Sequence, residues 1–362
     1  MEKHKGCEIV DASAKNLDMC AKRIREGKLV AFPTETVYGL GANALDGDAV
    51  LNIYEAKKRP KTDPLIVHVA SVNDIEPLVI MTERQRTIVN HLANKFWPGP
   101  LTMILKASEL IPSEITANTG FVGIRVPNHK TAMAFIKASG VPIAAPSANL
   151  FNHVSPTSAA HVYEDFKNLD LFVIDDGNST LGIESTVVKI DDQQLSFLRL
   201  GSLPKKEVDS FLQSVEEVRD LRTEYIPRRK AEQENCEAPG QFVKHYSPYV
   251  RTYIISQKQG KGTFNEDQLS KSVIIDFNNK YKHLESKVLK RVSLSDQGVL
   301  KEAMYKLYYT LRVAELVEGA ELILIADISD IEWNPSQDDF KYFDAVQDKI
   351  FRAASGEYRS CN

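Results

Sequence analysis

Cysteine is scarce: four in 362 residues. Cys7, Cys20, Cys236 and Cys361 are scattered, with no Cys-x-x-Cys pair. That argues against a structural zinc site and a disulfide framework, and it fits a reducing compartment. No apolar run approaches the roughly 18 residues of a membrane span. The opening stretch MEKHKGCEIVD lacks the apolar core of a signal peptide. A soluble cytoplasmic protein with no membrane partner is the expectation. Net charge is also slight, at −4, so any site for an anion or a nucleic acid must be a local patch. The eight histidines do not pair at metal-ligand spacing and H-E-x-x-H is absent, so no protein-held metal is expected. G-x-x-x-x-G-K-[ST], G-x-G-x-x-G after a strand and G-x-S-x-G are missing too, and the glycines of YGLGANA have the wrong spacing. These absences argue against a P-loop NTPase, a dinucleotide dehydrogenase and a zinc hydrolase.

What is present is an ordinary globular balance, 43% hydrophobic and 26% charged, laid out as α/β. Short apolar runs predict strands at 29–33, 65–69, 101–105, 122–126, 141–146, 171–175, 185–190 and 195–200. Helical spacing of apolar residues fills the gaps, as in Val50, Ile53 and Tyr54, and over 82–96, 130–140 and 157–166. Closely spaced strands among helices predict a large mixed sheet. Near Glu216 the pattern gives way to a polar stretch with two prolines, which reads as a linker. Beyond Tyr249, strands predicted at 250–256, 272–277, 287–294 and 321–327, with a long helix around 297–319 and a terminal helix, predict a second, smaller α/β domain.

The chemistry-bearing residues sit at strand ends, where open α/β sheets bind ligands. Thr34, Glu35, Thr36 and Tyr38 follow the first strand, either as a plain turn and helix start or as a small polar site. KKRPKTDPLIVHV places Lys57, Lys58, Arg59 and Lys61 before a strand that carries His68. The cations suit a helix C-terminus as well as they suit an anion, and Pro60 and Pro64 stiffen the segment. Arg125 interrupts an apolar strand and must meet an internal Asp or Glu or a ligand carboxylate. PIAAPSANLFNHVSPTS brings Ser147, Asn149 and Ser155, with small residues that let a ligand approach and a capped helix start that suits an anion. Glu184, Ser185 and Thr186 enter another strand and Arg199 ends one. Together they describe a cleft for a phosphate-bearing ligand and a small zwitterion, which suits nucleotidyl transfer by positioning and charge neutralisation.

PTETVYGLGANA, AKKRP…DPLIVHV, WPGPLT, GIRVP, PIAAPSAN…SPT and ESTVV occur in this order in the YrdC/Sua5 family of L-threonylcarbamoyladenylate synthases, which the chain resembles over about residues 10–205. The second domain and APGQFVKHYSP (238–248) are similar to the longer, two-domain Sua5 type. The resemblance implies a YrdC-like catalytic domain over 10–205 with a large twisted mixed sheet and flanking helices. A linker or lid over 206–248 and a Rossmann-like C-terminal α/β domain over 249–362 would follow. The implied reaction joins L-threonine, bicarbonate and ATP, with Mg2+ carried by the ATP. Its products would be threonylcarbamoyl-AMP and pyrophosphate, for modification of adenosine 37 in ANN-decoding tRNAs by a separate transferase complex. The family signature maps onto Lys57, Arg59, Ser147 and Asn149 as catalytic residues. Thr36, His68, Arg125, Ala145 and Ser185 match threonine-side positions. Lys57, Arg59, Asp63, Phe121, Ser147, Ser155, Arg199 and Val243 match nucleotide-side positions. The lid departs from the family's S-P-G-M-K-Y pattern, because Gln241, Phe242 and Val243 replace Met-Lys-Tyr; Val243 offers only backbone or apolar contact. The alternative is an RNA-binding or ribosome-maturation module that uses a basic concave surface, with PRRK (227–230) either contributing weak RNA contact or standing as a solvated charge cluster.

Overall fold

The computed structural model describes residues 6–226, 236–240, 245–333 and 338–361. Val243, with Gln241, Phe242 and Lys244, and the PRRK run lie outside the described residues. The chain divides into two compact units. The first holds Met1–Phe151, Ser155–Thr180 and Glu184–Phe242; the second holds Val243–Asn362 together with Asn152–Val154 and Leu181–Ile183.

Among the described residues the first unit contains twelve strands. They are β1 (Glu8–Asp11), β2 (Val30–Phe32), β3 (Gly39–Asn43), β4 (Ile66–His68), β5 (Val79–Ile80), β6 (Leu101–Ala107), β7 (Phe121–Arg125), β8 (Ile143–Ala144), β9 (Phe172–Asp175), β10 (Thr186–Ile190), β11 (Gln194–Arg199) and β12 (Arg222–Tyr225). They form one mixed sheet in the order β1-β9-β2-β3-β8-β4-β7-β6-β10-β11-β12, with β5 paired to β6. The period-2 alternation of strand side chains separates two apolar layers. On β2, Ala31 joins one cluster while Val30 and Phe32 join the other; on β8, Ala144 and Ile143 divide the same way. Helices Ala14–Arg25 and Lys130–Ser139 cover one face through Leu17, Cys20, Ile24, Phe135 and Ile136. Helices Gly47–Lys57, Glu83–Phe96 and Ala159–Phe166 contribute Val50, Ile53, Ile88, Leu92 and Val162 to the other layer. Burial on both sides is why the central strands read as nearly unbroken apolar runs.

Part of the segment expected to be a linker is regular structure. Helix Lys205–Ser214 buries Val208 and Leu212, one turn apart. β12 runs parallel to β11, with Leu195 opposite Thr223. Its sequence, RTEY, has no apolar run because it is an edge strand with no fully buried residue, and the ladder to β11 supplies what side chains do not.

In the second unit, β13 (Arg251–Ile255), β14 (Ser272–Asp276), β15 (Lys290–Ser293), β16 (Leu322–Ala326) and β17 (Tyr358–Arg359) form a sheet in the order β15-β14-β16-β13-β17. Every one of these pairings is parallel. Helix Leu300–Glu315 packs Leu300, Met304, Leu307, Tyr308 and Leu311 inward, the stripe expected from the sequence. No helix among the described residues is long and apolar enough to cross a membrane.

Gly41 on β3 is a tight point of the first unit. A Cβ there would lie 2.9 Å from Ile143 Cγ2 and 3.1 Å from both the Phe32 ring and the Val30 carbonyl oxygen. Overpacking of this kind costs roughly 1–3 kcal/mol. Gly41→Ala is therefore expected to lower the unfolding free energy by about 2 kcal/mol in a denaturant titration; an unchanged midpoint contradicts the packing described.

Candidate active site

Helix Gly47–Lys57 starts at Asp46, whose carboxylate accepts from the N–H groups of Asp48 and Ala49. It stops where Lys58 takes a left-handed conformation, φ 53° and ψ 37°. Around that turn Lys57 and Arg59 are buried, at 1% and 7% exposure, while Lys58 is exposed. Lys57 Nζ donates to the carbonyl oxygens of Ser147 and Asn149, so the buried ammonium ties the helix end to the Ser147–Asn149 turn. In return the Phe151 N–H donates to the Lys57 carbonyl at 2.9 Å. Arg59 donates through Nε to the Asp63 carbonyl at 3.0 Å and through Nη2 to the Pro64 carbonyl at 2.7 Å, and Nη2 lies 2.9 Å from Asp63 Oδ2.

Asp63 is fully buried. Burial pushes its carboxyl pKa up, and the charges of Arg59, Lys57 and Arg199 oppose that rise. Two cations from one turn, Lys57 and Arg59, and a third from some 140 residues later, Arg199, thus share one electrostatic neighbourhood. Arg199, at the end of β11, donates through Nε to the Ser185 carbonyl and through Nη2 to Ser185 Oγ, both at 3.0 Å. Ser185 Oγ also meets Thr102 Oγ1 at 2.8 Å, and Ser155 Oγ donates to Glu184 Oε1 at 2.6 Å. The described part of the expected lid, 236–240, borders the same residues. Cys236 N–H donates to the Thr62 carbonyl at 3.1 Å, Arg199 Nη1 reaches the Pro239 carbonyl at 3.4 Å, and Ala238 is buried among Ile104, Val187 and Leu198. Phe121 lies beneath a cation, Lys189 Nζ at 4.1 Å from its ring centroid, and Lys189 pairs with Glu237 at 2.9 Å.

A second group forms at the ends of β4 and β7, where His68 and Arg125 are register partners. Arg125 Nη1 donates to Thr36 Oγ1 at 2.9 Å, Nε donates to the Gly99 carbonyl at 3.2 Å, and Nη2 lies 2.7 Å from Glu35 Oε1. The internal carboxylate that the sequence left unnamed is therefore Glu35, from the PTETVYG motif. The pair is close but not aligned as a hydrogen bond: Nη2 and both Glu35 carboxylate oxygens are buried without a hydrogen-bond partner. An apposed, under-bonded arginine and carboxylate can accept a zwitterion, with its carboxylate on one and its ammonium on the other. His68 is buried against the edge of Phe32, ring centroids 6.0 Å apart. Burial and the Arg125 charge push its pKa down to about 3, so the ring is neutral in the cell. Ala145 donates its N–H to the Ile66 carbonyl at 2.9 Å and faces Gly39, where a Cβ would come within 3.2 Å of its own.

The structure thus gathers Thr36, His68 and Arg125 in one group, with Ala145 on the neighbouring strand segment, opposite Ile66 of β4. It gathers Lys57, Arg59, Asp63, Ser147 and Asn149 in another, around the Asp63 field that Arg199 also reaches. Ser185, matched to the threonine side, bonds Arg199. The sets meet at the turn before β6, since Arg125 uses the Gly99 carbonyl and Thr186 N–H donates to the Pro100 carbonyl at 2.9 Å. Thr102 was missed from the sequence; its only signal was a hydroxyl within an apolar strand.

A family model described as "Threonylcarbamoyl-AMP synthase, C-terminal domain" matches residues 210–355. The Sua5/YciO/YrdC model, described as "Telomere recombination", matches 22–201. The chain belongs to the Sua5 family. The threonylcarbamoyl-AMP synthase of Pyrococcus abyssi is 43% identical over 66% of this chain and 67% of its own length. That of Bacillus subtilis is 40% identical over 63% of each. A solved structure of P. abyssi Sua5 complexed with L-threonine superposes with a TM-score of 0.80 at 32% identity, covering 99% of this Sua5-family chain and 100% of that one.

The neutral His68 has a consequence for stability. Its imidazole titrates near 6.5 when unfolded and near 3 when folded, so between those values the unfolded chain binds more protons. Stability is complete above about pH 6.5 and is lost as pH falls toward 3. By pH 5 the loss from this group is about 2 kcal/mol. His68→Gln is expected to show a shallower loss between pH 7 and pH 5 in denaturant titrations; identical slopes contradict a neutral buried ring.

Proposed function

We infer that this chain makes threonylcarbamoyl-AMP from L-threonine, bicarbonate and ATP. One observation carries the reading: a single unit holds both a buried, under-bonded Arg125–Glu35 pair and a cluster of buried cations around Asp63. The first suits an amino acid zwitterion and the second suits polyphosphate. Family membership favours this reading over an RNA-binding module. The threonine ammonium gives up a proton to solvent, and the resulting amine adds to bicarbonate with loss of water to give a carbamate. A carbamate oxygen then attacks the α-phosphorus of ATP, and the bond to pyrophosphate breaks. No protein nucleophile is needed, so positioning and charge stabilisation supply the catalysis.

In this reading Arg125 takes the threonine carboxylate, Glu35 takes its ammonium, and Thr36, His68 and Ala145 shape the pocket, with Ser185 at the junction with Arg199. The neutral His68 ring adds no charge that would repel the amine. Arg59, Asp63, Ser147, Ser155, Phe121 and Arg199 serve the nucleotide. Lys57 acts there both by its charge and by holding the turn that carries Ser147 and Asn149. Magnesium enters with ATP as part of the substrate; among the described residues no group of three or more His, Cys, Asp or Glu side chains could hold a metal ion. The product serves a transferase complex that modifies adenosine 37 of ANN-decoding tRNAs, in the cytoplasm.

Purified protein is expected to release pyrophosphate from Mg-ATP only when both L-threonine and bicarbonate are present; release equal to the bicarbonate-free control contradicts the reaction. In the same assay Arg125→Lys, which keeps a charge against Glu35 but loses the fork, is expected to raise the KM for threonine by roughly tenfold or more while changing that for ATP less than about threefold. Equal effects on both substrates contradict the carboxylate role.

A further inference from the structure

Resting on that reading, we propose that Arg312 and Glu315 of the second unit are positioning residues for the nucleotide side of the site. The second unit includes two short segments from earlier in the chain, Asn152–Val154 and Leu181–Ile183, and its helix Leu300–Glu315 holds both. Arg312 is buried at 4% exposure, and its Nε and Nη2 both donate to the Val154 carbonyl, at 3.1 and 2.5 Å. His153 Nε2 lies 2.9 and 3.2 Å from the two carboxylate oxygens of Glu315. Tyr249 stacks on the His153 ring, centroids 4.2 Å apart, and its N–H donates to Glu315 Oε2 at 3.0 Å. Ser247 N–H donates to the Asn152 carbonyl at 2.8 Å. At the other segment Gly182, φ +83°, lies so close to the helix that a Cβ would stand 2.4 Å from the Tyr305 carbonyl oxygen, an approach only glycine permits.

Covalent geometry carries these grips to the site. The Val154 carbonyl and the Ser155 N–H belong to one planar peptide group, so Arg312 fixes the plane from which Ser155 departs. Asn152 stands three residues after Asn149, and Ile183 is bonded to Glu184. Ser155 Oγ and Glu184 Oε1 are themselves hydrogen-bonded. Both partners of that bond are therefore the immediate chain neighbours of residues the second unit clamps. A buried guanidinium used to hold a backbone carbonyl, beside a half-buried carboxylate that holds a histidine, is costly unless the geometry is fixed. Among the described residues the chain neighbours of Thr36, His68 and Arg125 are not the clamped ones, and the clamped segment reaches that side only further along, where Tyr38 N–H donates to the Pro156 carbonyl at 2.9 Å, so loosening the clamp should act on ATP more than on threonine.

The test measures ATP and L-threonine affinities separately by calorimetry on the full chain, with turnover alongside. Arg312→Ala is expected to weaken ATP binding about tenfold and leave threonine affinity within about twofold, with partial recovery in Arg312→Lys. Glu315→Gln keeps the shape of the clamp and is expected to weaken ATP binding about threefold; it decides the matter if Arg312→Ala fails to fold. ATP affinity unchanged in a folded variant overturns the proposal, as does an equal loss for both substrates. Absence of pyrophosphate release by the unaltered protein would instead overturn the reaction, and the ATP titrations would still report on the clamp.

Discussion

An ammonium group sealed from water has to be met by oxygen atoms, and Lys57 meets that demand with two carbonyls of the Ser147–Asn149 turn. The constraint works in both directions. It fixes where helix Gly47–Lys57 ends, and it draws in a turn from some ninety residues later, so that two halves of a motif separated in sequence become one piece of surface. The left-handed Lys58 lets the next residue, Arg59, turn inward as well. Asp63 then lies in a field of three cations, which opposes the rise that burial imposes on its carboxyl pKa. Removing Asp63 would leave these cations without the carboxylate that offsets them, which couples Asp63 to Lys57, Arg59 and Arg199.

The threonine side follows a different logic. Arg125 and Glu35 neutralise each other's charge, yet their closest atoms lack aligned hydrogen bonds. On the proposed reading, such a pair gains hydrogen bonds when an amino acid zwitterion divides it. The parallel pairing of β4 and β7 places His68 beside Arg125, and burial keeps that histidine neutral. The sheet thus delivers one permanent charge pair and one uncharged ring to the same end.

The strands and the strand-end residues were legible in the sequence because both carry local signals: a central strand buried on two faces is an apolar run, and a charge that interrupts such a run stands out. Arg125 and His68 were visible for that reason. Glu35 as the partner of Arg125 was not, because pairing across ninety residues leaves no mark in either segment. β12 was hidden by its edge position, where RTEY needs no apolar face. β17 was hidden by its two-residue length. The anchoring of Asn152–Val154 by Arg312 and Glu315 was equally invisible, since the helix carrying them advertises only its apolar stripe. Lys57 was read as a catalytic, nucleotide-side residue from family resemblance; its structural work on two carbonyls became visible only with coordinates.

The most direct test of the account is the ATP affinity of Lys57→Met, which keeps the length of the side chain and removes the ammonium that holds the Ser147–Asn149 turn. The account predicts that ATP binding falls by about 100-fold while L-threonine affinity falls far less, since the turn reaches the Glu35–Thr36 segment through the backbone bond from Ala148 N–H to the Tyr38 carbonyl and not through the Lys57 ammonium. An ATP affinity equal to that of the unaltered protein would contradict it.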